Sequence, residues 1–321
     1  MSAVIVIDVQ NCFLPGGSLA TVNTRNTADK PASALAEGIV KFIADKPDAT
    51  VFVTKDWHTP GHSSFARENK GEVPIVARPE LEGTRVRPEE YKDRPFNPEG
   101  KRFWGDDQSR LAQALWPEHC VQGTDGAKIA PELEAGLAGR AIETVLKGDE
   151  PTVDSYSAIA NALGYPTPHM EDGKTFLTRL QEGGFTDLYI TGIARDVCVF
   201  WSALDLLNYL SLPAKAAGRP CVKIHFVYDL TRPVYGAAPA FNKTKEEIES
   251  AVRDLITKMG LGAEVYDECF VIEDSGMYGG RRRRSTRHRS RSAHHKRSTK
   301  RSTKRCRCGK LRAHKGSRNC Q

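Results

Sequence analysis

"AVIVIDV" (residues 3–9) is a run of apolar, mostly β-branched residues that is interrupted by a single acid, Asp8. Such a run is typical of a strand that is buried on both faces of a parallel sheet. Runs of the same character recur at 49–55, 141–147, 187–193, 222–228 and 269–273. Helical patterns separate them, and this alternation predicts an α/β fold: a doubly wound, mostly parallel six-stranded sheet flanked by helices.

Charge divides the 321-residue chain into two parts. Residues 281–321 hold 18 of the 47 Lys and Arg and none of the 40 Asp and Glu, so residues 1–280 carry a net charge of −11. We expect an acidic globular domain over 1–278 and a disordered Arg/Lys/Ser-rich tail over 279–321. The reason is that the tail has almost no apolar side chains to bury.

The eight cysteines are scattered and lack the dense spacing of a small disulfide-stapled domain. The start of the chain has no cationic segment followed by an uninterrupted apolar run, so no secretory signal is expected. No stretch approaches the roughly 20 apolar residues of a membrane span. We therefore expect an intracellular protein of the cytoplasm and/or nucleus, with free thiols and no membrane partner.

Residues with metal-binding chemistry follow the second expected strand, in "TKDWHTPGHSSF" (54–65). Asp56 and His58 are two positions apart, so both side chains point to one face of an extended chain. Carboxylate and imidazole ligands suit a divalent cation, most of all zinc, with iron or manganese as alternatives. His119 in "WPEHC" is the candidate third ligand, and His62 or water would complete the set. The alternative is a strand end whose polar residues are only solvated.

Cys198 stands where a helix is expected to begin, just after the fourth strand. The positive end of a helix dipole favours a thiolate, and free N–H groups there can bind an oxyanion. Asp8 and Lys147 end two other strands, and the carboxyl ends of parallel strands form the ligand-binding edge of such sheets. Asp8 can take the thiol proton, while Lys147 favours the thiolate. The alternative is a buried structural cysteine on an apolar helix face.

Five blocks of sequence together resemble the successive motifs of the nicotinamidases, within the isochorismatase-like cysteine hydrolases. In family order they are "IDVQNCF", "KDWHTPGHSSF", "WPEHCVQGT", "KGDEPTVDSYSA" and "TGIARDVCV". The similarity covers roughly residues 3 to 273, and five ordered blocks are far more specific than any one of them. One departure is Cys12, which stands where the family usually has an acid. Its side chain is expected to point away from Asp8.

Carried over residue by residue, the resemblance implies a catalytic triad of Cys198, Asp8 and Lys147. It also implies a cis peptide bond before Ala194, and an oxyanion hole made by the N–H groups of Ala194 and Cys198. The metal ion would hold the ring nitrogen of the substrate and so place the carboxamide over Cys198. The implied ligands of that metal are Asp56, His58 and His119, with a variable fourth position that His62 can fill. The implied aromatic walls around a pyridine ring are Phe13, Trp116 and Tyr156.

The implied reaction is hydrolysis of nicotinamide to nicotinate and ammonia, a step of NAD salvage. Cys198 would attack the carboxamide, Asp8 would protonate the departing ammonia, and water would cleave the thioester. The metal-ligand set argues against the relatives that act on isochorismate, carbamoyl compounds or ureido acids. Another small amide, such as the analogue pyrazinamide, stays open as the preferred substrate.

The basic tail predicts a second kind of partner. Its cations favour non-specific, salt-dependent binding of nucleic acid, and Arg281–Arg284 is typical of a nuclear address. One alternative is a solvated extension, and another is a small zinc knuckle made by Cys306, Cys308, His314 and Cys320. For the whole chain, the alternative to an enzyme is an altered hydrolase scaffold that acts mainly through its tail. The complete set of site residues favours the enzyme.

Overall fold

The computed structural model describes residues 1–21, 33–69, 75–77, 112–114, 116–233 and 243–276. The chain divides into two units, Met1–Gly279 and Gly280–Gln321, and only the first contains described residues. The expected tail over 279–321, with its disorder and its zinc knuckle, therefore lies outside the described residues.

Nine strands are present in the described part of the chain. In chain order they are β1 (Ser2–Ile7), β2 (Thr50–Asp56), β3 (Ile75–Ala77), β4 (Ala112–Ala114), β5 (Ile142–Lys147), β6 (His169–Met170), β7 (Asp187–Ile193), β8 (Lys223–Arg232) and β9 (Phe270–Glu273). Seven of them form one sheet in the order β6-β5-β2-β1-β7-β8-β9, and β3 pairs with β4 in a separate antiparallel ribbon.

The main sheet confirms the predicted α/β class and corrects the predicted number of strands. The six predicted strands are β1, β2, β5, β7, β8 and β9, and all of the pairings among these six are parallel. The seventh, β6, pairs antiparallel with β5 at the edge of the sheet. It is only two residues long, so hydrophobic periodicity gives no sign of it.

Six helices accompany the sheet in the described residues. They are α1 (Ser33–Ala44), α2 (Pro131–Gly136), α3 (Phe176–Glu182), α4 (Arg195–Ala216), α5 (Lys245–Lys258) and α6 (Val265–Cys269). By length and composition α4 is able to cross a membrane, contrary to the expectation from the sequence, but 72% of its apolar window is buried inside the fold. It is the core helix that follows β7, and its first turn, Arg195–Val199, is π-helical.

The expectation of free thiols is wrong for four cysteines. Disulfide bonds join Cys12 to Cys120 and Cys221 to Cys269, and Cys198 is the free cysteine of the described residues. The partners are 108 and 48 residues apart along the chain, so only the folded arrangement brings them together. Cys12 lies in a short 3₁₀ turn rather than on a continued strand, because β1 ends at Ile7.

The main sheet brings together the polar residues at the carboxyl ends of its central strands, which form one edge of the sheet. Asp56 and Lys147 are direct neighbours in the register of β2 and β5, and Ile7 is paired with Gly192 across β1 and β7. Asp8, one residue beyond β1, is therefore close to the start of α4. This edge carries every residue that the sequence analysis proposed for catalysis.

Candidate active site

Lys147, the last residue of β5, lies at the centre of the site and is buried. Its Nζ is 2.9 Å from Asp8 Oδ2, 3.0 Å from Asp56 Oδ1 and 3.7 Å from Cys198 Sγ. The carbonyl of Ser155 accepts a further hydrogen bond from it at 3.0 Å. Burial opposes the charge, but the carboxylates of Asp56 and Asp8 raise the pKa of Lys147 well above its ordinary value. Lys147 is thus a buried cation that joins the other three side chains.

Burial at Cys198 works against the thiolate that the helix dipole would favour. Burial raises the pKa of the Cys198 thiol well above its ordinary value, and the nearby Lys147 charge opposes this shift only in part. Desolvation penalises the charged form, so the helix N-terminus does not decide the resting state. A base that takes the proton during attack is therefore needed.

Asp8 is placed to act as that base. It is fully buried, and Lys147 holds one of its oxygens. Burial raises the pKa of Asp8 above its ordinary value, against the opposing charge of Lys147. A carboxylate with a raised pKa is a better proton acceptor at neutral pH than an exposed one.

The three predicted metal ligands converge. Asp56 Oδ2 is 3.1 Å from His58 Nε2 and 3.5 Å from His119 Nε2, and all three side chains are buried. One donor atom from each lies within 4.8 Å of the others. Although burial opposes ionisation, His58 and Lys147 hold the pKa of Asp56 well below its ordinary value, so the group carries a carboxylate.

The imidazole rings are oriented as metal ligands are. His58 Nδ1 lies 2.8 Å from the carbonyl oxygen of Gly148, and His119 Nδ1 lies 2.7 Å from that of Pro117. A carbonyl only accepts, so each Nδ1 carries a hydrogen and each Nε2 is directed toward Asp56, where its lone pair is available to a cation once that nitrogen carries no proton. Burial lowers the pKa of His58, but Asp56 overrides this and raises it to about 9. The donor set therefore fits a divalent cation, for which a proton on His58 competes.

His62 lies beside this set and shares a second group of possible ligands with His58. Its ring centroid is 4.3 Å from that of His58, and it forms an overlapping group with His58 and Asp154. Its Nδ1 contacts Ser64 Oγ at 2.8 Å. The structure thus brings His62 next to the site, and its role as a fourth ligand stays a prediction.

The predicted aromatic residues are grouped at the same place. Trp116 Nε1 donates a hydrogen bond to Tyr156 Oη at 3.3 Å, and the ring of Phe13 lies 5.6 Å from that of His119. A separate cavity of about 940 Å³ touches His119 from the side of the Cys12–Cys120 disulfide, but neither Asp8 nor Cys198 lines it. It is not the place where the proposed chemistry occurs.

The two residues assigned to the oxyanion hole belong to one tight turn. The Ile193–Ala194 peptide bond is cis, as the resemblance implies. The Ala194 carbonyl accepts hydrogen bonds from the N–H groups of Val197 and Val199 at 3.1 and 3.0 Å, which closes the turn around Cys198. Their role toward a substrate oxygen stays a prediction.

Two further side chains, Gln10 and Thr54, hold the site in place, and neither was predicted to be a site residue. Gln10 bonds both polar backbone groups of Asp56, donating to its carbonyl and accepting from its N–H at 2.8 Å each. Thr54, inside β2, bonds both the backbone and the carboxylate of Asp8. A polar residue inside an apolar run was the available signal, but the run does not show which residue of the neighbouring strand it faces.

Known proteins are similar to this chain in both sequence and fold. The isochorismatase domain family matches residues 2–209. A nicotinamidase of Acinetobacter baylyi is 33% identical over 205 residues, which cover 63% of this chain and 73% of the relative. A nicotinamidase of Saccharomyces cerevisiae is 28% identical over 260 residues, which cover 80% of this chain and 100% of the relative. These relatives confirm the resemblance read from the five motifs.

Solved structures of known proteins have a similar fold. A nicotinamidase/pyrazinamidase of Acinetobacter baumanii has a TM-score of 0.52 and 25% identity, with 85% of this chain and 96% of that chain covered. Yeast Pnc1p bound to the inhibitor nicotinaldehyde has a TM-score of 0.55 and 24% identity, with 85% of this chain and 100% of that chain covered. Because the family match spans well over half of the sequence and includes most of the residues gathered at this sheet edge, the chain belongs to the isochorismatase family.

Proposed function

We propose that this protein is a nicotinamidase, a hydrolase of linear amides that converts nicotinamide to nicotinate and ammonia through a thioester on Cys198. The observation that carries the proposal is the buried Lys147, which joins Asp8, Asp56 and Cys198 beside a set of metal ligands. The relatives from A. baylyi and S. cerevisiae, both nicotinamidases, support the choice of substrate.

The proposed reaction begins from the neutral thiol. As Cys198 Sγ attacks the carboxamide carbon, its proton passes to Asp8, and the N–H groups of Ala194 and Cys198 face the oxygen that gains charge. Asp8 then protonates the departing nitrogen, which leaves as ammonia. Water attacks the thioester while Asp8 takes its proton, and the proton returns to sulfur as nicotinate leaves. Lys147 keeps Asp8 and the sulfur together throughout.

Substrate orientation is proposed to come from two sets of side chains. Phe13, Trp116 and Tyr156 enclose the flat ring, since stacking and edge contacts favour an aromatic ligand. Asp56, His58 and His119 would hold a divalent cation, zinc by preference for two imidazoles and a carboxylate, with iron or manganese as alternatives. A bound cation supplies a Lewis acid that can bind a pyridine nitrogen. His62 is the proposed fourth ligand.

The function is tested by ammonia release from three amides under identical conditions. Nicotinamide and pyrazinamide both place a ring nitrogen meta to the carboxamide, whereas benzamide has the same shape without it. We expect release from the first two. The kcat/KM for benzamide should be lower than that for nicotinamide by about 10²-fold or more, because the group that binds the ring nitrogen has no partner in benzamide. No release from either nitrogen-containing amide, with metal supplied, would contradict the proposal.

We further propose that the segment 281–321 binds nucleic acid without sequence preference. The proposed location of the protein is intracellular, in the cytoplasm and/or nucleus. Its 18 cations and lack of acids support this, because each neutralised phosphate releases counterions. The segment has no aromatic residue, so it has no platform for stacking on bases. The nicotinamidase proposal does not depend on this second partner.

Removal of residues 281–321 is expected to abolish nucleic-acid binding and to leave ammonia release nearly unchanged. Retention on DNA should disappear, and that of the full chain should fall steeply between about 50 and 200 mM salt. Ammonia release should stay within about twofold, since every residue proposed for catalysis or metal binding lies before residue 281 and the tail has few apolar side chains to bury. The measurement is a filter-retention assay beside the ammonia assay. DNA retention that survives the deletion would rule out the tail as the binding segment.

A further inference from the structure

Thr54 is a polar side chain inside the buried strand β2, and both of its hydrogen-bonding functions are used on Asp8. Its Oγ1 accepts a hydrogen bond from the Asp8 N–H at 3.0 Å and donates one to Asp8 Oδ1 at 2.5 Å. Both residues have no exposed surface. A hydroxyl has a single hydrogen, so that hydrogen is committed to Oδ1.

These two bonds hold a residue whose backbone is otherwise unfavourable. Asp8 has a φ of 46°, in the left-handed region that residues with a Cβ seldom adopt. The bond to the N–H holds the backbone in place, and the bond to Oδ1 fixes the plane of the carboxylate. The remaining oxygen, Oδ2, then faces Lys147 Nζ at 2.9 Å, and the same Nζ lies 3.7 Å from Cys198 Sγ.

We propose that Thr54 is a positioning residue for the hydrolysis: it orients Asp8 so that Oδ2, and not Oδ1, exchanges protons with the thiol and the leaving nitrogen. This inference rests on the proposed function. In the first step the S–H bond breaks as an O–H bond forms at Oδ2, and in the next that proton passes to the departing nitrogen. Thr54 touches neither the substrate nor the sulfur in this scheme.

The metal-ligand set has a brace of its own. Gln10 holds the backbone of Asp56 from both sides at 2.8 Å. Loss of the Thr54 hydroxyl should therefore disturb proton transfer and leave metal binding intact. A merely structural role would instead move stability, metal content and activity together.

The matched substitutions are Thr54→Val, which removes the hydroxyl at constant shape, and Thr54→Ser, which keeps it. Thr191→Val is the control, because Thr191 is an equally buried threonine on β7 whose hydroxyl bonds the Ile5 carbonyl at 3.4 Å. We expect Thr54→Val to lower kcat about 10- to 100-fold, because the acid–base group Asp8 is displaced, and to leave KM within about threefold of the wild-type value. Thr54→Ser and Thr191→Val should stay within about threefold of wild type.

A second readout needs no substrate. The rate at which iodoacetamide alkylates Cys198, followed by peptide mass spectrometry, reports how readily Asp8 takes the thiol proton. We expect it to fall about tenfold in Thr54→Val and to be unchanged in Thr54→Ser and Thr191→Val. If Thr54→Val does not fold, Thr54→Ala compared with Thr191→Ala replaces it.

The outcomes distinguish failure of the proposed function from failure of the proposed role of Thr54. A wild-type protein that releases no ammonia refutes the proposed function, and the alkylation rates still decide the role of Thr54. Equal losses in Thr54→Val and Thr54→Ser, or a kcat and an alkylation rate that Thr54→Val leaves unchanged, overturn the inference. A loss in Thr54→Val that Thr54→Ser restores, with metal content unchanged, supports it.

Discussion

Cys198→Ala should release ammonia from nicotinamide at least about 10⁴-fold more slowly than the wild-type protein, because loss of a nucleophile removes the covalent route altogether. The alanine fills nearly the same buried space at the start of α4, and Lys147 keeps its ion pairs with Asp8 and Asp56. The variant should therefore fold, retain metal and bind the product nicotinate. The measurement is a coupled ammonia assay beside thermal unfolding and metal analysis.

Cys198→Ser sharpens this test. A serine hydroxyl has the size of the thiol but is far less acidic, so Asp8 does not activate it as readily. We expect its activity to lie close to that of the alanine variant. Normal turnover by Cys198→Ala would dismiss the thioester mechanism. An unfolded Cys198→Ala beside a folded, inactive Cys198→Ser would still support it.

Loss of the metal-ligand set should have the second largest effect. Each ring Nε2 in the set faces Asp56 Oδ2, at 3.1 Å for His58 and 3.5 Å for His119, so removal of one ring leaves two ligands. His58→Ala and His119→Ala should each lower metal affinity by more than the 10- to 100-fold that is typical of losing an outer-shell partner, and turnover should fall with it. His169→Ala is the control, since its partly buried ring belongs to neither metal-binding group of the described residues.

Chelation tests the same point in the unaltered protein. Activity should disappear after chelator treatment and dialysis, and zinc, iron or manganese added singly should show which ion restores it. Mass spectrometry should find one fewer bound ion per chain in His119→Ala than in the wild type, whatever the tail binds. Full activity in a protein shown to be metal-free would remove the metal from the proposal.

The order of strands and helices could be predicted because burial leaves a pattern along the chain. Six apolar runs form β1, β2, β5, β7, β8 and β9. The rule that ligands bind at the carboxyl ends of parallel strands places Asp8, Asp56 and Lys147 on one edge from the sequence alone. The five motifs supplied the residue types. Chemistry that depends on residue identity and on strand direction can therefore be predicted from the sequence.

Properties that depend on distances between segments far apart in the chain could not be predicted from the sequence. The raised pKa of the Cys198 thiol follows from its burial, the Cys12–Cys120 bond joins residues 108 positions apart, and Thr54 contacts Asp8 across 46 positions. Composition and periodicity describe a residue's own strand or helix, whereas desolvation and hydrogen-bond partners are set by what packs against it. The amino-acid order thus specified which groups reach the edge of the sheet, and the folded packing specified how far each is desolvated, its hydrogen-bond partners and the oxygen of Asp8 that faces Lys147.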